Sequence, residues 1–246
     1  MKKLILAIIS FLAIGDIAYA ADLTMSLTDN SANLSGGFSS KIIQTIVIMT
    51  ILSVAPSIVI MLSSFVKISV VLSILRNGLG LQQTPPNSVL ASLALFLTFF
   101  VMQNTIKDIY DDALEPLMEE RITNEMAWEN LQKPVKAFML QNTADKELSL
   151  FRGMGKVEDA VTRDDTPIHV LIPSFLISEL RKAFEIGFLI FLPFLIIDLV
   201  VSSVLMAMGM MMLPPVTISL PFKLIFFVLV DGWYMICGSL VKSYGF

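Results

Sequence analysis

The sequence predicts an all-α, membrane-associated protein: helical hairpins joined by a mostly helical segment outside the cytoplasm. Three observations carry that expectation. Hydrophobic residues make up 55% of the 246 positions and charged residues only 15%, a balance too apolar for an ordinary soluble domain. Apolar runs approaching the length needed to cross a ~30 Å hydrocarbon core recur along the chain. The longest polar stretch, by contrast, is a single block at 119–166. The formal net charge is −4 with no basic tail, which argues against nucleic acid as a partner. One cysteine, Cys237, and one histidine, His169, leave no intrachain disulfide and no basis for a Cys/His metal site. No metal or cofactor is expected.

The first element, 1–20, reads as a signal peptide. Lys2 and Lys3 precede an apolar core at 4–14, and Ala18-Tyr19-Ala20 forms a small-x-small cleavage site. Gly15 and Asp16 end the apolar run well short of the ~20 residues a span needs. Cleavage between Ala20 and Ala21 would leave the mature N-terminus outside the cytoplasm. Residues 21–40 are rich in Ser, Asn, Thr and Gly and read as a flexible arm.

The first hairpin is expected over 41–106. Its leading run, 42–75, is overlong for one straight span, and Pro56 is the expected bend. Lys67 lies deep within it. A lysine there either snorkels from a helix end or pairs with a carboxylate inside a bundle. The turn at 76–87 holds Gly78, Gly80, Pro85 and Pro86, and a second apolar run follows at 89–102. Residues 107–172 mix apolar residues at helical spacing with charges, the pattern of short amphipathic helices outside the membrane. Arg152-Gly153-Met154-Gly155 reads as a turn; it lacks the further glycine and the Lys-Ser/Thr of a phosphate loop.

The second hairpin, 173–246, is expected to open at Pro173, kink at Pro193 and run to Met208. Gly209 can bend or break it. Pro214 and Pro215 lack N–H donors and should stop it near Leu213, with a restart after Pro221. The tip then carries Met210, Met211 and Met212, flexible thioethers able to pack irregularly or seal a narrow opening. The last run, 222–240, returns. Four crossings would leave 107–172 outside and Arg76 inside, in keeping with the positive-inside tendency.

An enzyme is not expected. Asp198 and Asp231 lie in apolar runs, but without the Tyr-Asp and Gly-x-Gly-Asp contexts of intramembrane aspartyl proteases. No Ser/His/Asp or Cys/His set is available around His169. Carboxylates in lipid are costly, so structural pairing is the expected role of both. A different class of reading is a small ion channel or transporter with Lys67, Asp198 and Asp231 along its path; a third is a passive membrane scaffold.

Several stretches resemble one family. Pro173-Ser174-Phe175-Leu176-Ile177-Ser178-Glu179-Leu180 with Ala183-Phe184-Glu185-Ile186-Gly187-Phe188, and Pro221-Phe222-Lys223 through Val230-Asp231-Gly232-Trp233, are similar to signatures of the FliP family of flagellar type III export-gate proteins, whose injectisome counterpart is SctR. Gln82-Gln83-Thr84-Pro85-Pro86-Asn87, the run 93–102 and Met210-Met211-Met212-Leu213-Pro214-Pro215 match it too, so the resemblance covers roughly 42–233. Ser174 stands where the family more often has alanine. The resemblance implies a non-enzymatic homo-oligomeric core subunit that assembles with FliQ and FliR into a closed channel for unfolded flagellar proteins. It implies contacts with other export-apparatus and basal-body proteins, and a multi-pass location in the bacterial inner membrane, with the apparent hairpins largely above the membrane plane after assembly. It gives Met210, Met211 and Met212 the role of a gasket around the pore. Glu179 and Lys223, both in signatures, are expected to meet between neighbouring subunits.

Overall fold

The computed structural model describes residues 37–81, 83–156, 162–210 and 214–245. The chain falls into two units, Met1–Ala55 and Pro56–Phe246. The proposed signal peptide, its junction Ala20/Ala21, most of the arm, Gln82, Met211 and Met212 lie outside the described residues. Every regular element described is helical: α1 Gly37–Met61, α2 Phe65–Gly78, α3 Asn87–Val101, α4 Gln103–Ile109, a π-helical turn Tyr110–Leu114, α5 Glu115–Met118, α6 Asn124–Asn142, α7 Asp145–Met154, α8 Ile168–Ala207, α9 Pro215–Leu229 and α10 Gly232–Lys242.

The organising element is α8, with 40 residues. At about 1.5 Å per residue it is about 60 Å long, twice a hydrocarbon core. By length and composition it is the one described helix that can cross a membrane alone. Three bent pairs, α1 with α2, the 87–118 stretch, and α9 with α10, qualify when each is taken together. Residue pairings give the topology around α8. Lys67 meets Glu179, Ile74 lies against Gly187, and Gly78 lies against Phe194, so α2 runs parallel to α8. On α3, Leu90 and Ala94 pack with Val71, Leu72 and Ala183, and Val101 packs with Leu171 and Phe175, so α3 runs the opposite way. Ser219 bonds Asp198, Phe227 lies beside Phe194 and Tyr244 reaches Glu179, so α9 and α10 together form a second antiparallel leg.

Several proline-based boundaries differ from expectation. Helix α1 continues through Pro56, and the chain breaks instead at Leu62–Ser64, where the Ser63 hydroxyl donates to Ile60 O and accepts from Phe65 N. Helix α8 begins at Ile168, ahead of Pro173, and passes through both Pro173 and Pro193. Helix α9 begins at Pro215 and passes through Pro221. The expected single run 222–240 is two helices bent by 62°. At that bend Asp231 takes a left-handed conformation, φ 49°, which Asp tolerates better than most residues. The following residue is Gly232, where an added Cβ would lie 2.1 Å from the Phe227 ring and displace it.

Between the hairpins the described residues form short helices, α4 to α7 with the π-helical turn. Pro116 has no N–H to give the Asp112 carbonyl one turn back, and the chain widens into the π-helical turn at 110–114. The Asn130 side chain donates to the Asp112 carbonyl instead, at 3.0 Å. The turn between α6 and α7 is tied to α8: Ala144 N–H donates to Ser178 Oγ at 2.8 Å, Lys182 Nζ to Asn142 O at 2.6 Å, and Arg181 Nε pairs with the buried Glu147 at 3.0 Å. Arg163 closes the same turn by donating to Leu140 O and Thr143 O.

Candidate functional site

The site has three parts along the second hairpin: its tip, a charge cluster near the tip, and a second cluster toward the other end. At the tip, α8 stops at Ala207, earlier than the double proline required. Gly209 supplies the stop. Its φ is +72°, its N–H bonds Met206 O at 3.0 Å, and the Met210 N–H bonds Leu205 O at 3.0 Å. These are the paired bonds of a glycine-terminated helix end. Pro214 is extended and Pro215 occupies the first turn of α9, where its missing N–H costs nothing. The end of α8 presents Met210, 43% exposed, together with exposed Met206 and Met208.

The cluster near the tip joins Asp198, Lys223 and Ser219. Lys223, nearly buried, lies 2.7 Å from Asp198 Oδ2 and donates to the Gly78 carbonyl at 3.1 Å. Ser219 donates to the other Asp198 oxygen at 2.6 Å. The carboxylate therefore has an ion pair and a hydroxyl, and the ammonium also satisfies the end of α2. That carbonyl belongs to the last turn of α2, where helices leave acceptors unpaired.

The second cluster holds Lys67, Glu179, Lys182 and Tyr244. Lys67 and Glu179 have no solvent exposure. Glu179 Oε1 lies 3.7 Å from both Lys67 and Lys182, and Glu179 Oε2 accepts from the Tyr244 hydroxyl. Burial, reinforced by that carboxylate, pushes the phenol far above its usual range. Lys67 Nζ sits 3.4 Å from the centre of the Tyr244 ring. Of the two roles open to Lys67, pairing within the bundle is the one observed.

The meeting of Glu179 with Lys223 is expected between neighbouring subunits; within one chain the two do not meet. Each has its own partner, Lys67 for the first and Asp198 for the second. Asp231 is not buried with them; it is exposed, and its backbone makes the bend before α10. Pro85 and Pro86 form the turn into α3, where Arg76 donates to Pro85 O and Asn87 Oδ1 and Pro86 caps the helix. Ser174 is buried, and its hydroxyl is satisfied in its own helix by Val170 O at 2.7 Å. Sequence reasoning did not single out Tyr244 or Ser219. Nothing local marks either: Tyr244 sits just past α10, 65 residues from Glu179, and Ser219 resembles any helical serine.

The comparisons with known proteins agree on one family. The sequence model of the FliP family matches residues 48–240. A flagellar biosynthetic protein FliP from Caulobacter vibrioides is 52% identical over 240 residues, 97% of this chain and 90% of that protein. The FliP of Bacillus subtilis is 50% identical over 205 residues, 83% of this chain and 93% of its own. The FliP of Agrobacterium fabrum is 44% identical over 246 residues, 99% of this chain and 100% of its own. With the signature stretches built into the hairpin geometry above and these matches running across most of both lengths, the chain belongs to the FliP family.

Proposed function

We propose that this chain is a core subunit of a flagellar protein export gate in the bacterial inner membrane. Several copies assemble with FliQ and FliR around a channel that is closed at rest and passes unfolded flagellar proteins. The observation that supports the reading is the end of α8 on a FliP-family hairpin: Gly209 stops the helix, and Met206, Met208 and Met210 stand exposed beside it. Thioether side chains are flexible enough to close a constriction and part again, and apolar groups crowded there exclude water and ions by dewetting. The ion-path reading draws little support from Lys67 and Asp198, whose charges are met by Glu179 and Lys223.

Two experiments test this reading. Co-expression with FliQ and FliR, followed by intact mass measurement, is expected to give one complex holding several copies of this chain. Conductance by the chain alone in liposomes would favour the channel reading instead. In the assembled complex, alanine at Met210, Met211 and Met212 is expected to leave assembly intact while raising membrane conductance or dye entry severalfold. A correctly assembled triple variant as tight as wild type would reduce these methionines to packing.

A further inference from the structure

Lys67, Glu179 and Tyr244 come from three parts of the chain and meet at one buried point. The charges there are unequal. Among the described residues, one carboxylate, Glu179, faces two ammonium groups, Lys67 and Lys182, each at 3.7 Å. Lys182 is 31% exposed and also holds the Asn142 carbonyl, so it has water and a dipole besides. Lys67 has neither: its ammonium is buried and makes no hydrogen bond among the described residues. What meets it, besides Glu179, is the face of Tyr244, an electrostatic partner that gains strength when the cation is desolvated. The Tyr244 ring also stacks on Phe138, with centroids 6.0 Å apart. Its hydroxyl donates to Glu179 Oε2 and lies 3.5 Å from the Ser64 carbonyl, in the break between α1 and α2.

We propose that Tyr244 is a conformational latch. It fastens the C-terminal tail to the break at Leu62–Ser64 through the shared Lys67–Glu179 pair, so that tail and break open and close together. The coupling follows from burial. Lifting Tyr244 away strips Lys67 of its aromatic partner and Glu179 of a hydrogen bond, leaving charges in an apolar core with too few partners. The first turn of α2, which carries Lys67, must then loosen to hydrate the ammonium. In the other direction, a shift at the break withdraws Lys67 from the ring and removes what holds the tail.

Hydrogen exchange on the full-length chain in lipid nanodiscs tests the coupling, following peptides that cover 58–68 and 238–246. Tyr244→Ala is expected to speed exchange about tenfold in both peptides together. Adding Lys67→Met and Glu179→Gln to that variant removes both charges at nearly constant volume, and should return the 58–68 peptide toward its wild-type rate while the tail stays fast. If Tyr244→Ala unfolds the chain, Tyr244→Phe carries the test: the ring stays, the hydroxyl is lost, and both peptides should speed up together by a few fold. Faster exchange confined to the tail, or no change in either peptide, would overturn the latch.

Discussion

Lys223 is nearly buried, and its ammonium meets Asp198 at 2.7 Å and the Gly78 carbonyl at 3.1 Å. Removing one member of an enclosed ion pair leaves the other desolvated and alone, at a cost of about 3–5 kcal/mol. Asp198 is about a quarter exposed and keeps Ser219, so the expected cost of Lys223→Met is nearer ~2 kcal/mol after screening. That loss is read as a lower melting midpoint of the purified protein. Replacing both partners, Lys223→Met with Asp198→Asn, should recover most of it. The same geometry predicts that Glu179→Lys with Lys223→Glu will not restore accumulation, because each change sets like charges together. The new lysine would face Lys67, and the new glutamate would face Asp198. Recovery by that charge exchange would show that Glu179 and Lys223 pair between subunits despite their partners within the chain.

At the scale of elements, Gly187 decides how closely α2 and α8 approach. Glycine within a helix costs about 1 kcal/mol relative to alanine, yet a Cβ here would lie 2.5 Å from Ile74 Cδ1 and 3.3 Å from its Cβ. Gly187→Val should therefore overpack the contact and destabilise by about 1–3 kcal/mol. Gly187→Val with Ile74→Ala should regain part of it, since the second change makes room. Full stability in the single variant, measured by the same melting midpoint, would show that the helices slide apart cheaply. The hairpins were legible because apolar runs and turn residues repeat at the scale of a membrane crossing. Their ends were less so. Pro56 read as a bend and Pro173 and Pro221 as helix starts, yet each lies inside a helix, because packing and apolar surroundings hold a helix through a lost hydrogen bond. Gly209 was legible as a place where the helix bends or breaks, and the helix stops there. Lys67, Glu179, Asp198 and Lys223 were each legible as charges that need a partner, but which carboxylate meets which lysine depends on how the legs align, and no local pattern encodes that alignment.

At the scale of the whole molecule, the apolar surface is too extensive for the bilayer alone to cover. On α8, exposed apolar residues run from Ile177 to Met206, a length of about 44 Å at 1.5 Å per residue, against a ~30 Å core. Tilting by about 40°, the steep end of what is seen, would still leave about 33 Å. Tilt also fails chemically: Arg181 and Glu185 are solvent-exposed beside Phe184, which is itself 61% exposed, and that level of the helix cannot sit in hydrocarbon. The helices between the hairpins add Trp128, 63% exposed, with Met118, Met126 and Met154 exposed nearby in sequence. Exposed apolar surface on this scale marks an interaction site, and a protein neighbour is the expected occupant where the bilayer does not reach. A photo-crosslinking residue at Phe184 or Trp128 is therefore expected to form protein adducts in cells that make the chain with FliQ and FliR, whereas one at Leu199 need not. Adduct masses would then show whether the neighbour is a second copy or one of the small partners. No protein adduct at either wet position, in cells where the complex is assembled, would mean this surface stays bare and would remove the main physical reason for placing the chain inside a larger assembly.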